Sequence, residues 1–167
     1  MDLWHFIKRA NAKQIWQLIT LCLGNIRLLW PTYKATKKAV KYSNTYFGTK
    51  HHKNTPANAF RHAIWTYFIA SECAQWSKND ARVVSWTNKI TNLHELILPK
   101  NELADAMDLH NNAVGLHIYT TNKALPSEEV INLFLAIVKS SVKISSKEEL
   151  INIPKDQFVH ITETTTT

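Results

Sequence analysis

Turn-forming residues are scarce in this chain: 167 residues contain only three glycines and five prolines, with long gaps between them. A β-sandwich or barrel needs turn signals at roughly every 8–12 residues, so this scarcity argues against both. Cysteine is equally rare. Cys22 and Cys73 each sit in an apolar helical context and read as buried free thiols, which excludes a disulfide framework. No Cys/His spacing of the zinc-finger kind occurs. Acid is missing from the first third: residues 1–53 hold ten Lys/Arg and only Asp2, whereas residues 54–167 hold ten Lys/Arg and twelve acids. The basic character of the chain, +7 overall, therefore belongs to its N-terminal part and favours contact with lipid head groups, nucleic acid or an acidic protein, with a solvated basic face as the equal alternative.

A long apolar run is lacking too. The stretch Ile15 to Leu23 is interrupted by Gln17 and Thr20 and falls well short of the roughly 20 residues of a spanning helix. It follows Lys8, Arg9 and Lys13 as a signal peptide would, but no small-x-small cleavage site follows, and Leu21 before Cys22 is a poor lipoprotein processing site. The expectation is a cytoplasmic product, or one secreted without an N-terminal signal peptide. No transmembrane helix is expected, and peripheral membrane association stays open.

What is present is enough apolar material for a core. The chain is 45% hydrophobic with six tryptophans, and its length suits one domain. Apolar residues at helical spacing predict an all-α domain of about seven helices. Residues 1–53 form basic and apolar N-terminal helices, 54–120 a central core, and 121–167 the C-terminal helices and a frayed tail. A short helix is expected at 3–9 and a longer one at 12–29, kinked at Gly24-Asn25. Pro31 is expected to open the next, running from Thr32 to about Phe47 with Gly48 as its stop. Residues 49–54 read as a basic loop that exposes His51 and His52. Central helices follow at about 55–76 and 80–97, the latter ended by Pro99. A third, capped by Asn101, runs to about Thr120. Ser127-Glu128-Glu129 starts another. Residues 145–152 form a last short helix, and Gln157 to Ile161 an extended segment.

Three of these helices carry a polar stripe on one face. Asn58, Arg61, His62 and Trp65 fall at i, i+3, i+4 and i+7 after a start at Thr55-Pro56. Thr91, His94 and Glu95 repeat the spacing on the next helix, and Asp108, Asn111, Asn112 and Gly115 on the one after. Inward polar groups need partners, so the stripes are expected to meet around a pocket between the three helices. His62 then serves as general base, with Glu95 or Asp108 orienting its imidazole. Arg61 and the amides of Asn58, Asn111 and Asn112 bind an anionic oxygen, and His94 joins them in holding substrate. No Ser or Cys sits at a recognisable nucleophile turn, so the attacker is an activated water. Glu95, Asp108 and Asn111 are hard ligands that suit calcium or magnesium if a metal is used. His110 faces away from Asp108, Trp65 is a wall or core residue, and Glu72 and Asp105 are expected in solvent. The same residues also suit a purely structural network that fixes helix register.

The segments Asn58-Ala-Phe-Arg-His-Ala-Ile-Trp65, Thr91-Asn-Leu-His-Glu95 and Met107-Asp-Leu-His-Asn-Asn-Ala-Val-Gly115, taken in order, resemble the bacterial helical domains described as prokaryotic Wnt-like. These occur alone and in polymorphic toxins and secreted effectors. The resemblance covers about residues 54–117. It implies a helical fold with a shared polar pocket, at positions His62, Arg61, Glu95, Asp108, Asn111 and Asn112, and a phospholipase-like action on lipids. One departure is Leu116, where the pattern often has a basic residue after the glycine. The resulting expectation is a lipid-directed hydrolase or toxin domain at an anionic phospholipid membrane surface, with a cognate immunity protein as partner if it is a toxin. Two readings stand against it: a non-enzymatic interaction module, and a metal-dependent nuclease. Nucleic acid is the less favoured partner, because the aromatics do not interleave with the basic residues.

Overall fold

The computed structural model describes residues 10–49, 51, 53–98, 101–123 and 125–162. Among them six α-helices follow in order: α1 (Ala12–Leu23), α2 (Ile26–Phe47), α3 (Pro56–Ala74), α4 (Asp80–Ile97), α5 (Glu102–Thr121) and α6 (Ser127–Lys139). A 3₁₀ turn at Glu148–Asn152 and two short parallel strands, β1 (Val142–Lys143) and β2 (Val159–His160), complete the chain. The all-α expectation holds. The helix expected at 3–9, the stop at Pro99, the loop residue His52 and the tail at 164–167 lie outside the described residues.

The centre of the molecule is α3, with 14 of its 19 residues buried. It packs against α2, α4, α5 and α6. Pro56 starts it without loss because the first-turn N–H groups have no intrahelical partner. Its small residues set how closely α5 can approach. A Cβ on Gly115 would stand 2.1 Å from the Ala63 carbonyl oxygen, so only glycine lets the two backbones meet there. Side-chain caps fix the registers of the flanking helices: Asn79 accepts from the Arg82 N–H at the start of α4, and Asn101 from the Ala104 N–H at the start of α5. The aromatic core lies between α3, α5 and α6, where Phe60, Tyr67, Tyr119, Phe134 and Phe158 meet edge-on or stacked.

Four expectations are corrected. The kink expected at Gly24-Asn25 is a full break between two helices, and Pro31 lies inside α2 instead of opening it. The corner is held from outside: Arg82 on α4 donates to Asn25 Oδ1 and to the Gly24 carbonyl. Glu72 is buried, with Lys34 Nζ at 2.9 Å and Lys38 Nζ at 3.6 Å, because α2 lays two lysines across its carboxylate. His51 is also buried, its Nε2 2.7 Å from Asn44 Oδ1 at the end of α2. Asp105 is half-buried.

The C-terminal strands act as a strap. β2 pairs with β1, and the next two N–H groups, of Ile161 and Thr162, donate to the Asn54 carbonyl just before α3. No helix among the described residues is long and apolar enough to cross a membrane.

Candidate active site

The α3 stripe meets α4 and α5 where Gly115 lets the helices close up. His62 is buried at the junction. Arg61 Nη2 lies 2.8 Å from His62 Nε2. A guanidinium only donates, so Nε2 is the acceptor and the imidazole proton sits on Nδ1. That Nδ1–H points between Asn112 Oδ1 at 3.3 Å and Glu95 Oε1 at 3.4 Å. Asn112 is itself fixed, accepting from Thr66 Oγ1 and donating from Nδ2 to Glu95 Oε1.

Glu95 Oε1 also lies 3.2 Å from His94 Nδ1, so one carboxylate oxygen serves two imidazoles and an amide. Burial alone would raise the Glu95 carboxyl. Hydrogen bonds from His62 and His94, with their charge, outweigh it and hold the group well below the usual carboxylate range. On the other side of His62, Asp108 Oδ1 stands 3.3 Å from Nε2 and accepts from Asn58 Nδ2 at 2.9 Å. Asn58 Oδ1 is buried with no hydrogen-bond partner among the described residues. Burial lowers the Arg61 pKa, against the pull of Asp108 and then Glu95. With His62 neutral the four groups carry one net negative charge, and a proton on His62 balances them.

A cleft of about 330 Å³ opens beside this cluster. Arg61, His62, His94 and Glu95 line its polar side, with His51 nearby, while Ala39, Val40, Trp65 and Leu98 form apolar walls. Trp65 is held in the wall by donating its Nε1–H to Thr36 Oγ1 on α2, and its ring meets His94 edge-on.

Asn58, Arg61, His62, His94, Glu95, Asp108 and Asn112 thus come together as the sequence suggests. Asn111 does not join them. Its amide bonds both backbone groups of Val159 and ties α5 to β2. His110 faces away as expected, donating Nε2–H to the Gln157 carbonyl. Sequence reasoning missed Thr66, Thr36, Val40, Leu98 and the burial of His51. Thr66 lies four residues after His62 and extends its stripe by one turn, so it alone had a periodic signal.

His62, Glu95 and Asp108 also offer three ligand atoms within 4.8 Å of one another. Calcium takes roughly six to eight oxygens, more than Glu95, Asp108 and Asn58 Oδ1 supply, whereas magnesium retains waters and fits the set better. Arg61 competes with either ion for the same carboxylates.

No curated protein and no solved structure matches the chain. Residues 19–143, well over half of the chain and containing every residue of the cleft and cluster, match the family described as Domain of unknown function (DUF6973), and the chain belongs to that family.

Proposed function

We infer that the protein is a hydrolase of phospholipid-like esters, with the attacking water activated by His62. The observation that carries this is the cleft beside His62, which joins apolar walls to a floor of one carboxylate, one guanidinium and imidazoles. Such a lining suits a substrate with a hydrocarbon part and an anionic polar part. The resemblance of the three motifs to prokaryotic Wnt-like domains, with their phospholipase-like reading, points the same way.

In this reading Glu95 and Asn112 hold the Nδ1 tautomer of His62, leaving Nε2 to act as base. Arg61 leaves Nε2 when an anionic substrate enters and turns its donors to the substrate oxygen. Water then attacks the ester carbonyl and gives its proton to Nε2. Asp108, already 3.3 Å away, stabilises the imidazolium. Arg61 meets the developing oxyanion, and collapse expels the alcohol, which takes the proton from His62. A toxin or effector role, with an immunity protein as partner, is compatible with this chemistry.

The test is release of fatty acid or head group from vesicles containing phosphatidylglycerol or phosphatidylserine. Release is expected for the native protein and lost in His62→Ala, while vesicle binding persists. Absence of release from any common phospholipid, with calcium, magnesium or neither, overturns the proposal. A second reading has its own support: Asn58, His62, Glu95, Asp108 and Asn112 bond or lie close to one another, as members of a purely structural network would. Under that reading His62→Ala and Glu95→Gln lower stability and there is no activity to lose.

A further inference from the structure

α1 is rich in apolar residues, yet none of its 12 residues is fully buried. Trp16 and Leu23 are each about two-thirds exposed. The exposure continues across the corner into α2, where Ile26 and Trp30 are both 62% exposed. On α2 the residues Ile26, Trp30, Tyr33 and Val40 follow at i, i+4, i+7 and i+14, which is one stripe of a helix. The stripe ends on Val40, which is partly exposed and also lines the cleft beside His62. Isolated exposed apolar residues are ordinary, but a row of them along one helix face, interrupted only by Lys37 and ending beside a cleft, marks an interaction surface.

The charge around this row decides its partner. Residues 10–49 contain no acid, and Lys13, Arg27, Lys37 and Lys41 are all basic. Lys37 Nζ lies 5.1 Å from the centre of the Tyr33 ring, placing a cation along the apolar row itself. A second copy of this chain would bring like charges face to face. A nucleic acid would leave the aliphatic Leu23 and Ile26 without a fitting contact. An anionic bilayer satisfies both halves: head groups meet the lysines and the arginine, while tryptophan and tyrosine rings settle at the interface with the aliphatic side chains below them.

We propose that the α1–α2 corner docks on an anionic lipid surface and places the cleft mouth at Val40 against the bilayer, so that one acyl chain passes along the apolar wall towards His62. The route of the acyl chain rests on the hydrolase reading; the docking does not. The substitutions that test it are Leu23→Glu and Trp30→Glu together, on exposed positions, with circular dichroism confirming an unchanged fold. Sedimentation with phosphatidylcholine vesicles, with and without phosphatidylglycerol, reads the binding. The native chain is expected to bind the anionic vesicles, less so at high salt, with its tryptophan emission shifted to the blue. The double variant is expected to lose on the order of a hundredfold in affinity. The proposal is overturned if the native chain ignores anionic vesicles or if the double variant binds them equally well. It is also overturned if the substitutions only convert a dimer to a monomer in analytical ultracentrifugation. Docking without lipid hydrolysis would sink the hydrolase reading and the acyl-chain route with it but leave the docking; hydrolysis of a soluble short-chain phospholipid without docking would sink the docking alone.

Discussion

Gly115→Ala isolates the contact on which the cluster geometry depends. Were Gly115 only a helix residue, alanine would stabilise the protein by about 1 kcal/mol through helix propensity. The packing predicts the opposite. The new Cβ would lie 2.1 Å from the Ala63 carbonyl oxygen and within 3 Å of the Ala63 Cα and carbonyl carbon. Ordinary contact begins at 3.4 Å, so α3 and α5 must separate by about 1.3 Å. The obstacle is backbone, and no rotamer change relieves it. Overpacking by one methylene costs about 1–3 kcal/mol even where side chains can yield. Here the separation also stretches Asn58–Asp108, His62–Asn112 and Thr66–Asn112, which bridge the same two helices. A net loss of about 3 kcal/mol is expected, a fall in Tm of roughly 6–12 °C at this chain length. Thermal unfolding followed by circular dichroism measures it, and any vesicle hydrolysis should fall with it even below the melting range. An unchanged or raised Tm would refute the close approach of α3 and α5 and, with it, the distances on which the proposed site is built.

Glu95→Gln removes the charge that holds two imidazoles and an amide, and should destabilise by about 3–5 kcal/mol as a broken buried charged network does; denaturant titration checks it. The Glu95 pKa is lower in the folded chain than in the unfolded one. Its contribution to stability is therefore fully present above the ordinary carboxylate value, about 4.3, and is lost as pH falls from there towards the folded value. The Tm of the native chain should consequently drop more between pH 6 and pH 3 than that of Glu95→Gln, a difference read directly from paired melts at about those two values. Asn111→Ala leaves the buried N–H and C=O of Val159 without partners, at about 1–3 kcal/mol each. Hydrogen exchange should show β2 loosened, whereas Asn112→Ala should leave β2 protected and disturb His62 instead.

Much of this molecule follows from its sequence alone, because helices are local. Apolar spacing, Pro56 at a first turn, the caps Asn79 and Asn101, and the scarcity of glycine determine where most helices run and that the fold is all-α. The same periodicity puts Asn58, Arg61 and His62 on one face, His94 and Glu95 on another, and Asp108 and Asn112 on a third. Periodicity gives a face; it does not say what covers it. Asn111 and Asn112 differ by one residue, about 100° around α5, and that rotation sends one amide to the Val159 backbone and the other to His62 and Glu95. That the kink expected at Gly24-Asn25 is a full break is supported by Arg82, far along the chain. The burial of Glu72 depends on α2 crossing it with Lys34 and Lys38, and that of His51 on how its loop folds against Asn44. Each of these is a contact between distant residues, with no local signature. The cleft itself is the same kind of feature: Val40 and Trp65 come from two helices and Leu98 from just past the end of a third, and only their packing turns a polar stripe into the floor of an accessible site.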